Sequence, residues 1–404
     1  MKNETDNIKQ FNKKKKDNLF TEFNRKRADY QMSKLMGIMI AALSFVVLVS
    51  VFFLLSRFFF MGKQYETVNV LNETELFIST GSEVQRFKDG FIVCNSDGIK
   101  YLNTKGEQIW NEAFMMQKPL LDIGNDMVAV ADYNGSTIYV MDDSVVRGKI
   151  DTGMPIRKFK VAGSGYVMAV LDNTSNTPIY VYDTEGREML YFNTTMKGYG
   201  YPMEIAISDN GILGAVSYLN VDKGSFYTTL AFYNFGEVGQ NYQDSLMSSY
   251  TYQSALVPEI RFAGNSHAVA VADNRVMFFG GDQIPQSAGE ILLKSNLMSV
   301  YEDDDYVALF YASDNSEHAY MAEIYDYNAK LKDTVYFDIE YTDVYFDEGR
   351  MILYNDSELM IHVIGGVDKF IGNLDDAILA LIPTSQSKRF ELVTYSGIKT
   401  IEFD

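Results

Sequence analysis

The stretch Val84–Phe114, VQRFKDGFIVCNSDGIKYLNTKGEQIWNEAF, decides the fold. It reads as four short strands: Val84–Phe87, FIVCN from Phe91, IKYLN from Ile99 and EQIWNEAF ending at Phe114. Ser96-Asp97-Gly98 and Lys105-Gly106 separate the later ones. Asp-Gly between alternating apolar runs is a strong hairpin signal, because both residues accept the positive φ that a tight turn demands.

The same unit returns along the chain, opening at about Leu120, Ile156, Met203, Pro258, Leu297, Asp343 and Ala377. The spacings run roughly 35 to 55 residues, and four strands per ~40 residues is the period of a β-propeller blade. The last unit has three strands and stops at Asp404. A strand left over near Thr67–Leu71 or Glu75–Ile78 is expected to supply its fourth, closing the ring and hiding sheet edges that would otherwise pair with other chains. The expected fold over residues 62–404 is therefore all-β, an eight-bladed β-propeller, with seven blades as the alternative. Composition agrees. The chain holds 28 Tyr and 27 Phe against only seven Pro, and aromatic side chains favour pleated, half-buried surfaces.

Ahead of the repeats lies Leu35–Ser56, LMGIMIAALSFVVLVSVFFLLS, free of charge between Lys34 and Arg57 and extended by Phe58–Met61. A helix of that length reaches ~33 Å, enough for a hydrocarbon core of roughly 30 Å. We expect one transmembrane α-helix over 35–61. A cleaved signal peptide fits less well, since its apolar region is shorter and a small-residue cleavage site follows it. Residues 1–34 carry ten Lys/Arg against five Asp/Glu, a net of +5, and form a basic, disordered tail that stays cytoplasmic. The remainder of the chain is then exported.

Subtracting +5 from the whole-chain charge of −19 leaves −24 for residues 35–404. Such an acidic domain is a poor ligand for nucleic acid or anionic lipid. Cys94 is the sole cysteine, so no internal disulfide forms, which suits a bacterial cell surface better than a eukaryotic secretory route.

Tyr182-Asp183-Thr184-Glu185-Gly186, Tyr233-Asn234-Phe235-Gly236 and Asn103-Thr104-Lys105-Gly106 occupy one slot, between the third and fourth strands of their units. In this the chain resembles WD-repeat-like and quinoprotein-like propellers, although the Trp-Asp blade signature is absent and Trp110 is the only tryptophan. With its basic tail and single apolar span it also resembles the bacterial domain-of-unknown-function family 5711. That resemblance implies a membrane-anchored propeller and brings no catalytic residue.

Chemistry is sparse. His267, His318 and His362 fall in separate units without metal-ligand spacing, and His267 and His362 read as ordinary strand residues. Cys94 sits in a strand and reads as an inert core thiol. No hydrolase, P-loop, zincin or dinucleotide motif occurs. Asp303, Asp304 and Asp305 form the densest acidic run and are weak metal candidates. No cofactor is expected.

The stretch Gly236–Ala255 lengthens one unit and carries Tyr242, Tyr250 and Tyr252, while Tyr199 and Tyr201 open the same unit. Loops on rigid scaffolds concentrate binding residues, and tyrosine favours interfaces. These five tyrosines are the candidate binding set, and deletion of 239–251 is expected to leave the fold intact. The functional reading is a non-enzymatic binding or scaffold module at the cell surface, held in the bilayer through 35–61, with a protein, peptide or envelope polymer as partner and no nucleic acid. The alternative is an exported hydrolase or quinoprotein-type oxidoreductase with its site at the channel mouth.

Overall fold

A computed structural model describes residues 16, 20–22, 25, 27, 34, 36, 38–52, 64–192 and 200–404. The chain divides into residues 1–63 and 64–404. In the first unit residues 38–52 are helical, with Leu43 and Phe52 among the exposed apolar side chains. Among the described residues no helix is long and apolar enough to cross a membrane. Residues 35, 37 and 53–61 of the expected span, and most of the expected tail, lie outside the described residues.

The second unit is a propeller of eight four-stranded antiparallel sheets, so the seven-bladed alternative is set aside. Blade one opens with Glu83–Phe87 and blade eight with Ala380–Pro383, within a few residues of the units read from sequence. Blade eight is completed by Val68–Glu75, which pairs with Gly397–Phe403, Val68 opposite Phe403 and Glu75 opposite Gly397. The ring thus closes with strands from both ends of the domain, and the leftover strand lies where the unit count placed it.

Most strands are covered on both sides by neighbouring blades. Continuous apolar runs such as Val128–Ala131 are fully buried for this reason, where a half-exposed strand would alternate. The cores lie between blades. Phe232 of blade four meets Phe279 of blade five with ring centres 4.8 Å apart, and Phe370 of blade seven meets Phe403 of blade eight at the same distance.

Several hairpin turns between third and fourth strands are held by a side chain. Asn103 Oδ1 accepts from the Lys105 and Glu107 amides, both at 3.0 Å. Asp183 Oδ1 does so for Glu185 and Arg187 at 3.0 and 2.8 Å, and Asp326 Oδ1 for Asn328 and Lys330 at 3.0 Å. Gly106 and Gly186 then turn the chain at φ +79°, a value that glycine adopts without a Cβ clash.

Strand alternation gives the disc two unlike faces. First-to-second and third-to-fourth turns share one face with Val68, where the chain comes into the ring; we call it proximal. Second-to-third turns and blade-to-blade connections share the opposite, distal face.

Candidate functional site

First strands of neighbouring blades touch around the axis, so their polar side chains meet along the channel. Lys160 Nζ of blade three lies 2.7 Å from Asp122 Oδ1 of blade two, whose other oxygen accepts the Val161 amide at 2.7 Å. Lys158 Nζ pairs with Glu204 Oε2 of blade four at 2.8 Å. Arg261 of blade five donates from Nη1 to both oxygens of Glu302 in blade six, at 2.7 and 2.8 Å. Its Nη2 lies 2.5 Å from Glu259 Oε1. The Arg86 guanidinium of blade one stacks 3.4 Å above the Tyr345 ring of blade seven, reaching past blade eight.

The Arg261 side chain keeps 43% of its accessible surface. Burial nonetheless weighs most on its protonation and would lower its pKa; Glu302 and Glu259 outweigh it, and the net shift is upward. The side chain is thus open to solvent while held between two carboxylates. Glu302 is also pushed up, by burial first, with Glu259 adding its charge, against the pull of Arg261. Chemically these are ion pairs that join blade two to three, three to four, and five to six. Each of their carboxylates already engages a cation.

Histidine 362 carries the second cluster. It lies in the third strand of blade seven, as expected of a strand residue, yet it is far from ordinary. Its Nδ1 is 2.6 Å from Asp368 Oδ1 of its own blade, and its Nε2 is 2.9 Å from Asp333 Oδ2 in the fourth strand of blade six. Burial alone would lower the imidazole pKa, but hydrogen bonds to Asp368 and Asp333 turn the net shift upward. A carboxylate at each ring nitrogen favours the imidazolium, the form that donates from both. Sequence gave no signal for this contact, because Asp333 belongs to another unit.

On the distal face an open groove of about 390 Å³ runs between Phe77, Ser79 and Ser82 on one side and Asn95, Asp97, Lys100 and Glu112 on the other. Phe77 is 80% exposed beside it, and Met115 is 95% exposed on the next connection. Blade four adds a hairpin, Leu213–Asp222 with Ser225–Asn234, longer than those of its neighbours. Val221 and Phe226 are exposed near its tip. The only sequence trace of it was the unusual length of that unit.

Residues 61–403 match a family described as a family of unknown function, DUF5711. The chain belongs to that family. Among curated proteins no sequence match is found. Solved structures similar to this DUF5711 chain share little sequence. Sqt1 from Chaetomium thermophilum is 10% identical with a TM-score of 0.52, covering 84% of this chain and 100% of its own. BamB from Moraxella catarrhalis is 10% identical with a TM-score of 0.49, covering 84% and 100%. AztD from Citrobacter koseri is 8% identical with a TM-score of 0.48, covering 74% and 87%. At such identities the likeness to Sqt1 speaks for the propeller fold alone.

The five candidate tyrosines do not form one patch. Tyr199 lies outside the described residues. Tyr201 is exposed and pairs with Leu219, towards the distal face. Tyr242 is exposed in the turn after Asn234, on the proximal face. Tyr250 and Tyr252 stand in the fourth strand of blade four, Leu246–Gln253. Tyr250 lies 5.1 Å from the Phe279 ring, and its hydroxyl accepts the Ser287 amide at 3.2 Å. The Tyr252 hydroxyl is pushed up to about 12, chiefly by burial. Both therefore help seal blade four against blade five. The expectation that 239–251 can be deleted without harm is corrected: the cut would remove most of a blade strand.

Asp303 Oδ1 accepts the Asp305 and Tyr306 amides at 2.9 and 2.6 Å, which makes it a turn cap. Asp304 and Asp305 are exposed beside it. Among the described residues no group of three or more His, Cys, Asp or Glu is placed to hold a metal ion. His267 is a strand residue 5.2 Å from the Tyr327 ring, and His318 Nδ1 contacts Asp338 at 3.1 Å on the distal face. Cys94 is buried and its thiol is pushed up to about 12, by burial first and then by Glu83, so it is a poor nucleophile.

Proposed function

We propose that this chain is a single-pass membrane protein whose exported propeller acts as a non-enzymatic binding or scaffold module at the bacterial cell surface, taking a protein, peptide or envelope-polymer partner. One contrast carries the reading. The channel carboxylates Asp122, Glu204, Glu259 and Glu302 are paired with Lys160, Lys158 and Arg261, whereas Phe77 at the distal groove and Met115, Val221 and Phe226 elsewhere on the distal face are left exposed. An active site needs a group free to accept or donate a proton; a docking face needs accessible apolar surface with a polar rim.

Placing a photo-crosslinking amino acid at Phe77 or Glu185 in intact cells tests the module. Discrete adducts from position 77 that are missing from position 185 support it, and no adduct from either site argues against it. The hydrolase alternative draws on one observation, the raised pKa of Glu302 with Glu259 across the same guanidinium. It requires turnover of chromogenic glycosides by the wild type that Glu302→Gln abolishes; an inert wild type ends it.

A further inference from the structure

We infer that the Arg86 guanidinium binds a carboxylate in the axial channel, with the Tyr345 hydroxyl as a second donor. The site is separate from the distal groove and rests neither on membrane anchoring nor on docking at the distal face.

Lys158, Lys160 and Arg261 each meet a carboxylate in the channel. Arg86 does not. Among the described residues it enters no ion pair or hydrogen bond, and it lies flat on the Tyr345 ring. The reason is in the sequence of the neighbouring blade. Val84 packs in the seam between blades eight and one, and strand alternation puts Arg86 on the same side. The first strand on that side is Ala380–Pro383, Ala-Leu-Ile-Pro. Among the described residues of the eight first strands, it is the strand without a charged side chain. The guanidinium therefore passes blade eight and comes to rest on blade seven.

Blade seven does not neutralise it either. Asp347 pairs with Arg350. Asp343 Oδ1 accepts the Val344 amide and Oδ2 the Tyr354 hydroxyl, both at 2.9 Å. Tyr345 is 5% exposed, and its hydroxyl is buried without a hydrogen-bond partner among the described residues. Burial pushes the Tyr345 pKa up, more than Arg86 pulls it down, so the hydroxyl keeps its proton and is a donor.

Stacking engages the flat face of a guanidinium, while its N–H groups lie in the plane and point past the ring. Two of them on one edge match the two oxygens of a carboxylate. A turn of that edge towards the phenol brings a carboxylate oxygen to the Tyr345 hydroxyl as well. Charge selects the carboxylate over phosphate. Arg86 supplies one positive charge, Asp343 is near enough for both to act on Tyr354, and the domain is acidic throughout. A monoanion is neutralised there, whereas a phosphate dianion brings a surplus negative charge that its surroundings repel.

The test is saturation-transfer NMR on the full chain in detergent micelles at pH 7, with acetate and with N-acetyl-trialanine as free acid and as amide. Acetate, the peptide acid or both should take up saturation, and the amide should not. The response should fall several-fold in Arg86→Gln and rise in Asp343→Asn, which keeps an acceptor for Tyr354 while removing a competing charge. A response from acetate alone identifies a small free acid as the ligand, and a stronger one from the peptide acid identifies a chain end. No response from the wild type, an equal one from Arg86→Gln, or an amide as strong as the acid overturns the site. Inorganic phosphate that displaces acetate at a lower concentration than unlabelled acetate itself overturns the choice of carboxylate. Should Arg86→Gln fail to fold, Asp343→Asn decides: an unchanged response overturns the proposal.

Discussion

The proximal and distal faces are made by the same strands, yet they leave different amounts of apolar surface exposed. On the proximal face, carboxylates do structural work. Asp142, Asp183, Asp303 and Asp326 each accept backbone amides of their own turn, and Asp333 reaches from blade six to His362. Its acidity is thus largely a by-product of closing hairpins and seams. Distal turns use Asn95, Asn355 and Asp132 in the same way, but there Phe77, Met115 and Val221 keep 80%, 95% and 66% of their surface, more than Val145 and Tyr242 on the proximal face, at 45% and 47%. An acidic surface on a propeller is therefore weak evidence for a cationic ligand, while apolar groups left over after folding are the stronger pointer to a partner.

If the charges are structural, removing one should cost stability, and the channel should suffer most. Arg261→Met leaves Glu302 and Glu259 facing each other without their shared cation. Breaking a fully buried pair costs about 3–5 kcal/mol; since the Arg261 side chain is 43% exposed, about 2–3 kcal/mol is expected from urea unfolding at pH 7. Loss of the guanidinium also pushes Glu302 further up, so the penalty should shrink at pH 5 as that carboxyl takes a proton. A loss independent of pH would mean that Arg261 acts by packing alone.

A smaller cost, about 1.5–2 kcal/mol, is expected for Asp183→Ala, which strands two turn amides. The exposed Arg187 pair adds little. Burial alone would raise the Asp183 pKa, but the Arg187 and Glu185 amides and the Arg187 guanidinium bring it below its ordinary value. A depressed carboxyl stabilises the fold above its unfolded pKa of about 3.9 and loses that contribution as pH falls through the folded value. The gap between wild type and variant should accordingly close below about pH 4.

His362 has the opposite sign. Its pKa is raised in the fold, so its contribution is complete below the unfolded value of about 6.5 and disappears as pH rises through the folded one. Asp333 and Asp368 face the ring on either side. We expect His362→Gln to cost about 1 kcal/mol at pH 6, with the difference from wild type narrowing in alkali. Chemical denaturation at a series of pH values reads this directly, and a gap that widens with pH would show that the imidazole is held neutral.

The turns were legible in the sequence because their chemistry is local. Asp97-Gly98 and Asp183-Thr184-Glu185-Gly186 announce hairpins from adjacent residues, and ring closure followed from an incomplete last unit. Contacts across seams were not legible. His362 and Asp333 are joined by which outer strand packs on which blade, and no periodicity encodes that. The packing of Tyr250 and Tyr252 into a seam had left a usable trace. In Leu246–Gln253, Tyr250 and Tyr252 alternate with Ser249, Thr251 and Gln253, the period of a strand with one side turned to a neighbour, and that pattern outweighs tyrosine's preference for interfaces.

The smallest effect on stability is the one that tests the comparison most sharply. Phe77→Ser, Met115→Ser and Val221→Ser each remove apolar surface that folding has left in water. Little transfer energy is lost, because these side chains are exposed in the folded and unfolded chain alike. Each should shift stability by no more than about 0.5 kcal/mol, well below the cost of touching the proximal turns. Solubility should rise, since an exposed apolar patch promotes self-association, and analytical ultracentrifugation of residues 62–404 against the triple variant would measure it. A triple variant that unfolds would show these residues to be part of the core, and the distal face would then have no surplus apolar chemistry with which to recognise anything.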